Sequence, residues 1–82
     1  MWYVYLLLCE DKSLYCGSSD NPEVRLELHK NGKGARYTRS HKPIRIVYKE
    51  KLNTKSEALK RELQIKGWSR KKKIKILKID LF

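Results

Sequence analysis

The apolar residues of the chain fall into three short runs with the spacing of β-strands. Residues 2–9 are apolar at both odd and even positions, which is typical of a central strand covered on both faces. A polar turn over residues 10–12 separates this run from residues 13–18, which are expected to pair with it as an antiparallel hairpin. Residues 43–50 carry β-branched side chains at alternating positions and predict a third strand.

Helix signals lie between and after these runs. Residues 20–23 combine a capping side chain, a proline at the first helical position and an acid in the first turn, and they predict a helix that ends at residues 31–32. Residues 54–57 match a capping box, and the helix that they open is expected to run to residue 66. A last, basic helix is predicted over residues 70–78.

Residues 32–42 are polar and basic and are expected to form a loop. The fold class that these elements predict is α/β (α+β), with a three-stranded antiparallel sheet flanked by helices in a single domain over residues 1–82. A chain of 82 residues is too short for a dinucleotide-binding fold or for a large buried cavity.

The charge of the chain is large and unevenly placed. Lys and Arg number 20 against 9 Asp and Glu, which gives a formal net charge of +11. Residues 1–29 carry a net charge of −3, whereas residues 30–54 carry +7 and residues 55–78 carry +8. Such a one-sided field is typical of proteins that bind nucleic acid, because neutralising phosphates releases condensed counterions. On composition alone, a soluble basic protein without a nucleic-acid partner is the alternative.

The sequence predicts neither a membrane partner nor a secretory signal, so the expected location is cytoplasmic. The longest apolar run, residues 4–9, is far shorter than the ~20 residues that span a bilayer. Cys9 and Cys16 are too few for a disulfide scaffold, and their spacing does not suit a zinc site even with His29 and His41. We therefore expect two buried thiols.

The predicted hairpin places two tyrosine motifs side by side. Residues 3–5 are Tyr-Val-Tyr and residues 15–17 are Tyr-Cys-Gly, and an arginine in the first helix and a glutamate in the second follow them. This order of parts resembles the GIY-YIG nuclease superfamily from residue 2 to about residue 78. The stretch of residues 32–39 is similar to that of its small stand-alone bacterial members of the UPF0213 type. The positions that match the family motifs are Tyr5, Tyr15, Gly17, Arg25 and Glu62.

The sequence departs from the family motif at three positions. Tyr3 replaces the first Gly and Cys16 replaces the middle Ile, and these changes within strands affect packing more than chemistry. Ser18 stands where some larger family members carry Lys, which removes one phosphate contact.

Arg25 is the candidate for stabilising negative charge on a phosphate. Cleavage of a phosphodiester develops negative charge, and a fixed cation lowers the barrier to it. Arg presents a planar fork that matches phosphate oxygens and stays protonated near neutral pH. His29 follows four residues later, so both are expected to lie on one edge of a helix with the apolar stripe Val24 and Leu28, and to lean over one cleft. The alternative for Arg25 is a surface ion pair with a neighbouring glutamate.

Glu62 is the candidate metal ligand. At helical spacing it is expected to interrupt an apolar face that contains Ala58, Leu59, Leu63 and Ile65. An unpaired buried carboxylate costs roughly several kcal/mol, and coordination of a metal removes that cost. The resemblance implies one divalent ion, Mg²⁺ or Mn²⁺. The alternative is a buried salt bridge to a Lys or Arg.

Tyr5 and Tyr15 are expected to share one face of the sheet. If Ser13 pairs with Cys9 around a three-residue turn, Tyr15 lies opposite Leu7 and diagonal to Tyr5. The resemblance implies that one tyrosine orients or deprotonates the attacking water while the other lines the site, and Tyr5 is the favoured base. The alternative is that both are core aromatics.

Two basic segments are the candidate nucleic-acid contacts, one at residues 30–42 and one at residues 70–78. Basic side chains interleaved with an aromatic suit backbone phosphates and bases. The candidate residues are Lys33, Arg36, Tyr37, Arg39, Lys71, Lys72 and Lys73.

The function that this sequence predicts is a metal-dependent endonuclease that hydrolyses phosphodiester bonds in nucleic acid, with DNA the favoured substrate. An inactive nucleic-acid-binding module of the same fold is the alternative, and a protein-interaction domain is disfavoured by the charge. The candidate catalytic residues are Tyr5, Tyr15, Arg25, His29 and Glu62.

Overall fold

A computed structural model describes residues 1–81, and Phe82, the last residue of the predicted domain, lies outside the described residues. The predicted three-stranded antiparallel sheet flanked by helices is confirmed. In chain order, the elements within these residues are β1 (Trp2–Cys9), β2 (Leu14–Ser19), α1 (Pro22–Lys30), α2 (Arg36–Ser40), β3 (Pro43–Leu52), α3 (Lys55–Lys66) and α4 (Arg70–Leu77).

The sheet has the order β2-β1-β3, so the strand that is apolar at every position is the central one. The expected register of the hairpin is confirmed, because Tyr15 pairs with Leu7 and Gly17 pairs with Tyr5. The turn between the two strands holds Lys12 at a φ of 71°, and the Cys9 N–H donates to the carbonyl of Ser13 at 2.9 Å. This three-residue turn fixes which residues of β2 face the same side as Tyr5.

The two faces of the sheet carry different helices. Even-numbered residues of β1 pack with Cys16 and with residues of α3 and the α4 region, including Ala58 and Ile65. Odd-numbered Tyr5 and Tyr15 face α1 on the other side. Both cysteines are buried free thiols, as expected.

The three predicted helix caps are present. The side chains of Asn21, Thr54 and Ser69 each accept a hydrogen bond from the backbone N–H three residues later. Across residues 1–81, no helix combines the length and apolar character needed to cross a membrane.

The loop expected over residues 32–42 contains a short helix, α2. The Thr38 hydroxyl donates to the carbonyl of Ala35 at 2.9 Å, and the His41 N–H donates to the carbonyl of Tyr37 at 2.9 Å. Five residues make less than two turns, so no hydrophobic period marks this helix in the sequence.

The buried faces of α1 and α3 differ from the expected ones. In α1 Val24 is 52% exposed, and the buried residues are Pro22 and His29. In α3 Leu63 is 71% exposed, and Leu59 is exposed as well. The row that α3 buries is Ala58 and Ile65, seven residues apart, and Glu62 lies between them at helical spacing with its side chain 14% exposed, as expected.

Candidate active site

Tyr5 and His29 form a buried pair beneath the site. Each is 1% exposed, and the Tyr5 hydroxyl lies 3.2 Å from Nε2 of His29. Burial, with a further contribution from Tyr15, raises the pKa of Tyr5 to about 12, and Arg25 partly opposes this rise. Burial and then Arg25 lower the pKa of His29. His29 is therefore a neutral, enclosed side chain, and it does not lean over an open cleft as expected.

The segment of residues 34–38 closes over the other side of the His29 ring. The Thr38 hydroxyl lies 2.8 Å from Nδ1 of His29, and Thr38 is itself buried. A Cβ atom added at Gly34 would overlap Nδ1. Gly17 has a similar position on the strand side, where an added Cβ would lie 2.7 Å from the Tyr5 hydroxyl oxygen. The absence of a side chain at Gly17 and at Gly34 thus leaves the space that the Tyr5–His29 pair occupies.

Glu62 has a partner on each carboxylate oxygen. The Ser18 hydroxyl donates to Oε1 at 2.5 Å, and the Lys66 ammonium lies 2.5 Å from Oε2. The Glu62 side chain is 14% exposed. Burial is the largest single effect on the pKa of Lys66 and lowers it, but the hydrogen bond and the charge of Glu62, with smaller contributions from Tyr15 and Cys16, together raise the net pKa. The salt bridge considered as the alternative for Glu62 is therefore present, and its partner is on the same helix.

Glu62 offers a divalent ion one carboxylate. Among residues 1–81, no three His, Cys, Asp or Glu side chains are grouped to bind a metal together. Mg²⁺ usually keeps several waters and binds through one or two carboxylates together with substrate phosphates. The oxygens of Glu62 and Ser18 lie side by side and are hard donors of the kind that this ion prefers. These residues therefore fit a single ion held through Glu62.

Tyr15 is the more accessible of the two tyrosines. It is half-buried, and its ring centre lies 4.9 Å from that of His29. Burial raises the pKa of Tyr15, while the nearby Lys66 acts to lower it and Glu62 to raise it. The Tyr15 phenol is therefore close enough to Lys66 and Glu62 to interact with both, and substrate can reach it more easily than it can reach Tyr5.

Arg25 is exposed on α1, and its two glutamate neighbours pair with lysines. Glu23 accepts a hydrogen bond from Lys49 at 2.9 Å, and Glu27 lies 3.9 Å from Lys30. Arg25 acts to lower the pKa of the Tyr5 phenol, against the larger effect of burial. Near the Ser18 end of β2, the edge strand, the structure brings together five candidates: Tyr5, Tyr15, Arg25, His29 and Glu62.

The candidate nucleic-acid contacts divide into two groups. Lys33, Arg36, Tyr37 and Arg39 are all exposed, and the Tyr37 ring stacks on Tyr15 at a distance of 6.0 Å between centres. This first group adjoins the site. The second group lies on α4, whose apolar side packs with the core on the opposite face of the sheet. It consists of the exposed Lys71 and Lys72 and the half-buried Lys73.

Sequence reasoning missed two side chains that touch the site. Lys66 lies four residues after Glu62, and this spacing is the usual signal for an ion pair along a helix. Thr38 has no such signal, because its contact with His29 joins a helix to a segment that was expected to be a loop.

Comparison with known proteins places this arrangement in a family. Residues 1–75 match the family model described as the GIY-YIG catalytic domain. The UPF0213 protein SSP2268 of Staphylococcus saprophyticus is 49% identical over 75 residues, which are 92% of each chain. The UPF0213 protein SH2523 of Staphylococcus haemolyticus is 47% identical over 75 residues, again 92% of each chain.

Two solution NMR structures are similar in fold. The UPF0213 protein BH0048 from Bacillus halodurans has a TM-score of 0.60 and 39% identity, with 95% of this chain and 84% of that chain covered. The protein EF2693 from E. faecalis has a TM-score of 0.63 and 44% identity, with 93% and 81% covered. This chain belongs to the GIY-YIG family, because the family model matches residues 1–75 and a UPF0213 relative is 49% identical to it.

Proposed function

We propose that the protein is an endonuclease that uses a divalent metal ion, Mg²⁺ or Mn²⁺, to hydrolyse phosphodiester bonds in nucleic acid, with DNA as its substrate. The observation that carries the proposal is the convergence of Tyr15 from β2, Arg25 from α1 and Glu62 from α3. The GIY-YIG domain is typically a nuclease domain, which supports the same reaction class.

Arg25 is the residue that stabilises the transition state. It is exposed, so a phosphate can reach it, and its glutamate neighbours are paired with lysines elsewhere. Its guanidinium can donate two hydrogen bonds to a phosphate as negative charge develops there. The proposed role is therefore that of an electrostatic clamp on the scissile phosphate.

Tyr15, rather than Tyr5, is the tyrosine that contacts the attacking water. We expected Tyr5 to be the base, but a side chain that is 1% exposed and whose pKa is raised to about 12 by burial is poorly placed for that role. Tyr15 is half-buried, and although burial raises its pKa, the Lys66 cation opposes that rise. Tyr15 thus orients the water and takes part in its deprotonation, while Tyr5 packs beneath the site against His29.

Glu62 is the residue that would hold the metal ion, with Ser18 beside it. A divalent ion bound there would act as a Lewis acid on a phosphate oxygen. The Lys66 ammonium holds the Glu62 carboxylate in place before an ion binds. GIY-YIG nucleases generally use divalent metal ions, and this supports the assignment.

An inactive nucleic-acid-binding module is the second candidate, and the Glu62–Lys66 ion pair favours it. Both oxygens of Glu62 already have partners at 2.5 Å, so a metal ion has to compete with Lys66 for one of them. If the ion loses this competition, the basic surface still binds nucleic acid but no cleavage follows.

A cleavage assay separates the two candidates. Duplex, branched and single-stranded DNA and the corresponding RNA would be incubated with the protein, with and without Mg²⁺ or Mn²⁺. We expect cleavage of a DNA form only with the metal, loss of cleavage in Glu62→Gln, and retained cleavage in Glu57→Gln, whose side chain contacts Thr54 at the start of α3. Binding without cleavage of any form would support the inactive module instead.

A further inference from the structure

The Glu62–Lys66 ion pair lies at the point where a divalent ion would bind. The Lys66 ammonium is 2.5 Å from Oε2 of Glu62, and the Ser18 hydroxyl donates to Oε1 at 2.5 Å. Ser18 is neutral and can stay beside a bound ion, because its oxygen is itself a hard donor. An ammonium has no lone pair and repels a second cation. The group that has to leave Glu62 when an ion binds is therefore Lys66.

The Lys66 ammonium weakens metal binding at Glu62 in the absence of nucleic acid. It occupies one carboxylate oxygen, and its charge repels a divalent ion at the other. The Glu62 side chain is only 14% exposed, so solvent and salt screen this repulsion less than they would at an open surface. In the part of the chain that the structure describes, no group of three His, Cys, Asp or Glu side chains offsets it. The protein alone should therefore bind the ion weakly.

A phosphate group offers Lys66 an alternative partner. The Lys66 side chain is 46% exposed and its ammonium has three N–H donors, so a phosphate of bound nucleic acid can reach it. The flexible stem of a lysine lets the ammonium turn from a carboxylate to a phosphate while the backbone of α3 stays in place. A phosphate has to come close to Glu62 in any case, since Mg²⁺ binds through carboxylates and substrate phosphates together. Phosphate is therefore the group that can take the ammonium from Oε2.

We propose that Lys66 makes the binding of the metal ion depend on the binding of nucleic acid. Without nucleic acid the ammonium holds Oε2 of Glu62, and a backbone phosphate that enters the site draws the ammonium to itself and releases Oε2 for the ion. The inference rests on the role of Glu62 in the proposed function. Because such coupling is reciprocal, the ion should tighten the binding of nucleic acid by the same factor.

The surroundings of Lys66 support this role. Glu57, the other acid of α3, contacts the N-cap residue of that helix, and Glu50 on β3 pairs with Arg61 at 3.1 Å. Among residues 1–81, the acid that forms an ion pair with Lys66 is Glu62. Lys66 is thus held by a single ion pair, which one phosphate can replace.

Binding of Mn²⁺, followed through the EPR signal of the free ion, tests the competition without any need for cleavage. Lys66→Met removes the charge and keeps an unbranched side chain, so without DNA it should bind Mn²⁺ about 10-fold more tightly than the wild type does. Lys66→Arg keeps the charge and should bind as weakly as the wild type. Lys60→Met removes an exposed charge from the same helix, so it controls for net charge and should also resemble the wild type. Equal Mn²⁺ affinity in Lys66→Met and Lys60→Met would overturn the proposal.

The same titration with an excess of a DNA duplex tests the coupling. Glu62→Gln with that duplex measures the Mn²⁺ that the DNA binds by itself. After this correction, the duplex should tighten Mn²⁺ binding to the wild type and should have a much smaller effect on Lys66→Met, which has no ammonium to displace. An equal effect of the duplex on the two proteins would overturn the coupling.

Cleavage by the same proteins separates this proposal from the proposed function. If the wild type cleaves DNA but Lys66→Met binds Mn²⁺ no more tightly, the endonuclease stands and the role of Lys66 is wrong. If Lys66→Met binds Mn²⁺ more tightly and the wild type cleaves no nucleic acid, the endonuclease is wrong and the competition at Glu62 stands.

Discussion

His29 illustrates how the surroundings of a single residue set its chemistry. The same imidazole on a helix surface would titrate near neutral pH, but here Tyr5 and Thr38 enclose both ring nitrogens and burial lowers its pKa. The ring therefore serves as a fixed hydrogen-bonding spacer between a strand and a short helix.

This environment makes the stability of the fold depend on pH. Because burial lowers the pKa of His29 in the folded state, the unfolded chain binds the proton more readily. The contribution of neutral His29 to the free energy of unfolding is complete above its ordinary pKa of about 6.5, and it is lost as the pH falls below that value. Urea unfolding at pH 7.5 and pH 5.5 should show a lower stability at the acid pH.

Two histidine variants complete that experiment. In His29→Gln the difference in the free energy of unfolding between pH 7.5 and pH 5.5 should shrink. In His41→Gln, which removes the half-buried histidine beside Asp11, that difference should persist. An undiminished pH effect in His29→Gln would show that another group titrates with folding.

The pairing of Tyr5 and Tyr15 on one face was predictable, whereas the contact between Thr38 and His29 was not. The strand register follows from a turn of three residues, and register fixes which side chains share a face. The place of Thr38 depends on how residues 31–35 turn back over α1, and no periodic pattern encodes that path. The burial of Tyr5, which shifts the proposed base to Tyr15, likewise depends on helices that cover the strand.

Among the helices, α1 and α3 bury different faces from those that their hydrophobic patterns predict. In α1 a histidine is buried because its ring nitrogens have partners, so a pattern that counts His as polar assigns the wrong face. In α3 the buried row is Ala58 and Ile65, and two leucines on the neighbouring row are exposed. The ends of both helices were predictable, because caps are local and need no tertiary contact.

Gly34 and Gly32 provide a matched pair of substitutions in the segment between α1 and α2. Gly34→Ala should destabilise the fold by about 1–3 kcal/mol, because the added methyl group overlaps the His29 ring, and it should also slow cleavage. Gly32→Ala should cost about 1–2 kcal/mol, because its φ of +73° is left-handed, yet nothing lies near its Cβ and cleavage should persist. Urea unfolding and a cleavage assay of both variants measure this contrast. Equal rates in the two variants would argue against a tight fit of this segment to His29.

At the scale of the whole molecule, positive charge lies on both faces of the sheet. The group of Lys33, Arg36, Tyr37 and Arg39 adjoins Tyr15, whereas the group on α4 lies on the face of the sheet that also packs against α3. The net charge of +11 was evident from composition, but its division between two faces needed the fold. We propose that α2 contacts the nucleic acid near the scissile bond and that α4 adds affinity away from it.

Binding to duplex DNA should therefore depend strongly on salt. The logarithm of the binding constant should fall linearly with the logarithm of salt concentration, with a slope of about 0.9 for each phosphate contact. Replacing Lys71 and Lys72 on α4 with Ala should reduce that slope. The rate at which bound substrate is cleaved should stay unchanged. A flat salt dependence of the wild type would contradict a phosphate-binding surface.

We propose that Arg25 acts on the transition state in a site that only the folded chain assembles, and single-turnover cleavage measured beside binding tests this role. Arg25→Ala should lower the cleavage rate by about 10²-fold or more, the scale for removal of one preorganised donor. Its affinity for DNA should fall only modestly, because it removes one of 20 cationic side chains. Lys51→Ala, an exposed charge on β3, should match it in affinity and cleave as the wild type does. A loss of binding and cleavage by the same factor in Arg25→Ala would contradict the claim, since Arg25 would then be a docking residue alone.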